Sequence, residues 1–181
     1  MIEVKILTVV VTHPDAPSVV VLAEAGTFLP VSDMLPGDEG SPQILPIWIG
    51  HSEAEAIMLL LGDKPHSRPL THDLLADVID VLGSKVERVV IDKIVGSTFF
   101  ATVCLDKDGQ PLQIDARPSD SIALAIRAGA QVFVDEDVMN AAAHKVHVKV
   151  SDAGELLYGT EDEMDRFHSF IESISPEDFS L

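Results

Sequence analysis

The chain has a single cysteine, Cys104, among 181 residues. One thiol excludes an intramolecular disulfide and a cysteine-based zinc site. Its place inside the strand-like "TFFATVCLD" suits a small buried hydrophobe. Basic residues are scarce as well: 12 Lys and Arg stand against 30 Asp and Glu, for a net charge of −18. Lys and Arg supply most non-specific affinity for phosphate backbones, so a general nucleic-acid coat protein is excluded, whereas contact with one or two phosphates locally is compatible. No stretch approaches the ~20 apolar residues of a membrane span. The start, "MIEVKILTVVVTHPD", has no basic leader followed by a long apolar run, so a cytoplasmic location with no membrane partner is expected. Walker A, G-x-S-x-G, H-E-x-x-H and G-x-G-x-x-G signatures are all missing.

What is present is a core. Apolar residues make up 46% of the chain and mean hydropathy is +0.25, which marks a folded globular protein long enough for one good-sized interior. "VKILTVVV" and "SVVVLAEAG" read as strands joined by the turn-forming "THPDAP". The loop "SDMLPGDEGSP" leads to a third strand, "ILPIWIG". A helix follows, "SEAEAIMLLLG", with Ser52 as its cap and Gly62 at its end.

The same order returns later as "VERVVIDKIV", "STFFATVCLD", "PLQIDA" and the Ser119-capped helix "SDSIALAIRAG", ended by Gly129. Laid over one another, "LPIWIGHSEAEAIMLLLG" and "LQIDARPSDSIALAIRAG" pair Leu45 with Leu112, Ser52 with Ser119 and Gly62 with Gly129, at a constant offset of 67 without a gap. Two β-β-β-α units, over about 3–62 and 86–129, are the predicted organisation. The expected fold is α+β: internally duplicated units forming a mixed, largely antiparallel sheet with packed helices. Residues 1–142 would form the main domain, and 143–181 a strand followed by an acidic amphipathic helix or tail. In that tail Met164, Phe167, Ile171 and Ile174 share one helical face. Both unit helices are apolar nearly all round, which predicts burial on several sides or a subunit interface, hence a homodimer or higher oligomer.

Between the units lies "RPLTHDLLADVIDVLG", predicted as a helix capped by Thr71, with an apolar stripe of Leu74, Leu75, Val78, Ile79 and Leu82. Arg68 is held extended by Pro69. His72 is suited to proton transfer near neutral pH or to metal ligation. Asp73, Asp77 and Asp80 share a helical face, a pattern met more often in a solvated stripe than in a metal platform.

The most informative junction is "IDARPSDS". By strand alternation Leu112, Ile114 and Ala116 face the core while Asp115 and Arg117 face away. The first unit has Trp48 and Gly50 at the matching positions, so the architecture does not itself demand charge there. Arg117 offers a planar fork for phosphate or carboxylate, and the backbone N–H groups at the Ser119 helix start aim at the same anion. The bland alternative is that these charges only pair with neighbours, an arrangement worth ~0–1 kcal/mol at a surface. Asp120 in the first turn also has a bland role, as a carboxylate favoured by the helix dipole.

"LPIWIGHSEAEAI", "RPLTHDLL", "FFATV" and "IDARPSDSIALAIRAGAQVFV" together resemble the bifunctional nuclease domain family, from the first strand to about Met139. The resemblance implies hydrolysis of RNA and DNA. Its motif positions fall on Glu53, Arg68, Thr71, His72, Asp73, Asp115, Arg117, Ser119 and Asp120. Many bacterial relatives carry a further C-terminal module resembling the UvrB/UvrC interaction motif. This chain has "MDRFHSFIESISPEDF" instead, so a repair partnership does not carry over.

Two readings follow. In the first, the chain is a nuclease acting on nucleic acid: Asp115 and Asp120 hold a divalent cation, Mg²⁺ or Mn²⁺, Arg68 and Arg117 bind phosphate with Thr71 and Ser119, and His72 handles a proton, with Glu53 and Asp73 in support. It calls for Arg68, Arg88, Arg117 and Arg127 to form a local positive patch. In the second, the chain is a non-catalytic, anion-binding regulatory dimer.

Overall fold

β-Branched residues dominate the first strands, and pairing them builds the sheet. The computed structural model describes residues 1–11, 17–26, 34–36, 43–62 and 67–148, with Ser169. Strand β1 (Ile2–Val10) runs antiparallel to β2 (Ser18–Glu24), which runs antiparallel to β4 (Gln43–Ile49). Helix α1 (His51–Leu61) follows directly. In the second half β5 (Ser84–Val95), β6 (Thr98–Lys107) and β7 (Gln110–Ala116) form another antiparallel meander, followed by α3 (Pro118–Ala128). Each half is thus three antiparallel strands and then a helix. A short β3 (Met34–Pro36), inside the segment read as loop, is the addition in the first half.

Three later elements complete the sheet. Strand β8 (Gln131–Val134) lies between β1 and β5, antiparallel to the first and parallel to the second. Helix α4 (Glu136–Ala142) leads to β9 (His144–Val148), which pairs with β4 and β3. Among the described residues nine strands pair in the order β3-β9-β4-β2-β1-β8-β5-β6-β7. This is an α+β fold on a mixed, largely antiparallel sheet. The expected division at 142/143 falls just before β9, which belongs to this same sheet. The acidic amphipathic helix expected near the C-terminus lies outside the described residues.

Residues Ser18 to Ala23 are all buried, which a strand achieves only where both sheet faces are covered. Against this centre pack α1, over β1 and β2, and α3, over β5, β6 and β8. Leu22, Leu45, Ile57, Ile91 and Ile122 are fully buried there.

Local chemistry sets the joints. The β6–β7 turn uses Asp108 and Gly109, both with positive φ (53° and 80°), in a two-residue hairpin that suits the strand twist. The Asp106 carboxylate accepts the Gly109 N–H at 2.9 Å. Helix α3 opens with Pro118 at its first position and stops at Gly129 in the left-handed region, the asymmetry expected of Pro and Gly.

The structure departs from the sequence expectation in three places. The residues flanking the helix starts are Gly50, Leu70 and Arg117, each extended and just ahead of Ser52, Thr71 and Ser119. Leu112 and Ile114 are exposed, because β7 is the edge strand and the helix layer does not reach over it. Helix α2 (Thr71–Val81) is rotated so that Ala76 and Ile79 pack inward while Leu74, Leu75 and Val78 face out. Polar contacts lie on the inward side. Asp73 Oδ2 accepts the Leu70 N–H at 2.8 Å, closing the first turn. Asp73 Oδ1 lies 2.9 Å from Arg127 Nε of α3, but off the line of the N–H, so the contact is an ion pair rather than a hydrogen bond. The Asp73–Arg127 pair fastens α2 to the end of α3.

Candidate functional site

Arg117 is forced extended by Pro118 (ψ 147°) and so projects from the top of β7 instead of joining the helix. Its guanidinium forks onto Asp120, with Nε 2.7 Å from Oδ2 and Nη2 3.1 Å from Oδ1. Nη1 donates to Glu53 Oε1 of α1 at 2.9 Å. Glu53 reaches that point because Gly50 has no side chain: a Cβ there would collide with the Glu53 carboxylate. From α2, His72 brings Nε2 to 3.5 Å from Asp120 Oδ1, with only 14% of its side chain exposed. Three helix starts therefore converge on one ionic cluster, Glu53–Arg117–Asp120–His72.

The cluster lies in an open hollow of about 550 Å³, whose lining also includes Ser52, Glu55, Leu59, Leu60, Leu70 and Thr71. A second hollow of about 280 Å³ lies on the other side of Arg117, between Trp48, Phe99 and Ser119. Arg117 is the charged wall between them. Burial by itself would raise the pKa of Asp120. The hydrogen bonds and charge of Arg117, helped by His72, outweigh it and hold the carboxyl below its usual value. Arg117 is correspondingly held above its own, first through its hydrogen bond to Asp120 and then through Glu53.

A depressed carboxyl stabilises the fold above its unfolded-state pKa, and that contribution is lost as pH falls through the folded one. Stability of the wild type is therefore expected to fall more steeply than that of Asp120→Asn below about pH 4, the ordinary Asp value. Urea midpoints measured between pH 7 and pH 2.5 check this. Parallel curves would mean that Asp120 gains nothing from Arg117.

Of the residues singled out from sequence, Glu53, Thr71, His72, Arg117 and Asp120 line the main hollow, and Ser119 lines the second. Asp73 lies behind α2 on Arg127. Asp115 is exposed on β7 and Arg68 is exposed ahead of α2, and neither lines the hollow. Asp115 thus stands outside the hollow that Asp120 lines. Both Asp120 oxygens face Arg117 and His72, and among the described residues no group of three or more His, Cys, Asp or Glu is placed to hold a metal. The positive patch is not formed either, since Arg88, Arg117 and Arg127 each meet a carboxylate of the chain. Glu55, which pairs with His51 at 3.5 Å, and the Trp48 wall were not singled out from the sequence. The alignment of Trp48 with Asp115 between the two predicted units was the one signal pointing to that wall.

Residues 34–147 match the bifunctional nuclease domain. Two uncharacterized proteins from strains of Mycobacterium tuberculosis are 37% identical to this chain over 177 residues, covering 98% of it and 97% of their own length. Bifunctional nuclease 2 of Arabidopsis thaliana is 26% identical over 122 residues, 66% of this chain and 36% of the plant protein. Bifunctional nuclease 2 of Oryza sativa is 28% identical over 100 residues, 54% of this chain and 31% of that protein. The matched span runs from β3 through β9 and takes in all three helix starts that build the ionic hollow, and the chain belongs to the bifunctional nuclease domain family.

Proposed function

We propose that the chain hydrolyses phosphodiester bonds of RNA or DNA in the hollow between α1, α2 and α3. Family membership supports the reaction class. The observation that carries the placement is the joining of His72, Asp120 and Arg117 across two helices at an open surface.

The chemistry follows from the donors left over. A guanidinium has five N–H groups, and three are engaged with Asp120 and Glu53. The remaining two, one on each Nη, are left to donate to phosphate oxygens. With Nε2 turned to Asp120, His72 has Nδ1 to accept the proton of an attacking water, and Asp120 stabilises the imidazolium that forms. The water oxygen bonds to phosphorus, the P–O bond on the opposite side breaks, the departing oxygen takes a proton from solvent, and His72 then releases its proton to solvent.

Glu53, Glu55 and Asp120 make the surroundings acidic, so a polyanion is held weakly and single strands that thread one phosphate at a time fit best. The assay is turnover of end-labelled single-stranded RNA and DNA by wild type and Arg117→Ala, with Mg²⁺ or Mn²⁺ supplied. A loss of about 10²–10³-fold in the variant is expected. Equal cleavage by both proteins would overturn the placement. Saturable binding of oligonucleotide without cleavage by the wild type would instead favour the regulatory, anion-holding reading.

A further inference from the structure

The outward face of α2 is too apolar for a helix that ends at water. At 100° per residue, Leu74, Leu75, Val78, Val81 and Leu82 fall in one sector opposite the packed residues Ala76 and Ile79. Leu74, Val81 and Leu82 are 58%, 84% and 63% exposed. The rotation is no accident of a loose helix, because Asp73 is tied to Leu70 and Arg127 on the inner side. Helix α1 adds Leu59, which is exposed and borders the same hollow as Pro69 and Leu70 at the start of α2.

We propose that two copies of this chain associate about a two-fold axis through this sector of α2, with the exposed end of α1 beside it. Size is the first argument. The five α2 side chains and Leu59 expose the equivalent of roughly three whole aliphatic ones, about 200–400 Å² of apolar area at ~60–120 Å² each. A standard interface takes about 800 Å² per partner, a little over half of it apolar, or roughly 450 Å².

Charge is the second argument. Each copy carries −18, and like charges repel across any ordinary face. The α2 sector contains no charged residue, so it is where two such copies can meet. A basic partner would instead be matched by carboxylates inside the sector. Spacing is the third. Leu74–Val78–Val81 and Leu75–Val78–Leu82 run four-three and three-four, the seam by which a helix packs on its own copy. Val78 lies at the centre of the sector.

The association has a consequence for the ionic hollow. His72 sits in the first turn of the helix that carries the interface, and the apolar rim of Leu59, Pro69 and Leu70 lies beside it. A second copy seated on α2 extends that rim and screens the cluster from water. The proposal does not depend on hydrolysis, and its test uses no substrate.

Sedimentation velocity of the full chain between about 1 and 100 µM measures the association. Wild type is expected to sediment at twice 19.5 kDa, and Val78→Glu/Val81→Glu to dissociate at least 100-fold more readily with an unchanged circular-dichroism melt. Leu112→Glu, at the exposed β7 edge, is expected to leave the dimer intact. Should the double variant misfold, Val78→Cys in a Cys104→Ser background decides: a disulfide-linked dimer on mild oxidation supports the proposal, and its absence overturns it. Monomeric wild type at 100 µM, or a dimer that persists in the folded double variant, also overturns it. So does wild type that dimerises only after removal of residues 149–181, which would mean that the chain's own tail covers the sector.

Discussion

Alanine at His72 is expected to lower nucleic-acid hydrolysis by about 10²–10⁴-fold, the usual worth of a positioned proton acceptor. The fall should lie in kcat, with KM nearly unchanged, because the phosphate contacts assigned to Arg117 remain. Added imidazole is expected to restore part of the rate to His72→Ala and none to Arg117→Ala. This contrast separates a proton-transfer role from a structural one. His72 is mostly covered and meets Asp120 only at 3.5 Å, too long for a strong hydrogen bond. Catalytic contacts of this kind commonly tighten once substrate is bound. A His72→Ala enzyme as fast as wild type would remove the imidazole from the mechanism while leaving the family assignment untouched.

Leu22→Ala carries the largest expected loss of stability. Leu22 is fully buried and faces Ile6 of β1 and Leu45 of β4 across the sheet. Removing a buried leucine side chain costs about 2–5 kcal/mol, from lost burial plus the cavity left behind. For a domain of this length that corresponds to a fall in Tm of about 5–15 °C. The same change at Leu112, which strand alternation places on the core side, is expected to cost under ~1 kcal/mol because that residue is 42% exposed. Differential scanning calorimetry of the two variants makes the comparison. Equal losses would mean that the β7 edge is covered in solution.

That pair of leucines shows where sequence reading succeeds and where it stops. Alternation in "LQIDA" correctly assigns Leu112 and Ile114 to one face of β7. It carries no information on whether a helix reaches over that face, because sheet order is a long-range property. The "KDGQ" turn was legible in full, since Asp-Gly at a hairpin has a local cause in positive φ. Helix α2 was legible as a helix but not in its rotation. An apolar stripe usually marks the core, and here it faces out, while Asp73 on the inner side meets Arg127, 54 residues further along the chain. In the site, Arg117 and Asp120 were legible together because Pro118 fixes a local geometry. Their joining to Glu53 and His72 depends on three helix starts meeting, which single-sequence patterns do not encode. Asp115 looked equivalent to Asp120 by proximity along the chain, yet it points from an edge strand toward solvent.

Strand β8 is only four residues long, yet it is the sole described link between the two meanders within the sheet, hydrogen-bonded to β1 on one side and β5 on the other. Beside it the first amino group of the chain meets Glu136 at 2.8 Å. Strand β1 therefore finds its second neighbour only once Gln131–Val134 have been synthesised. Until then the nascent N-terminal half carries an open, sticky border, and chaperone capture during synthesis should concentrate on it.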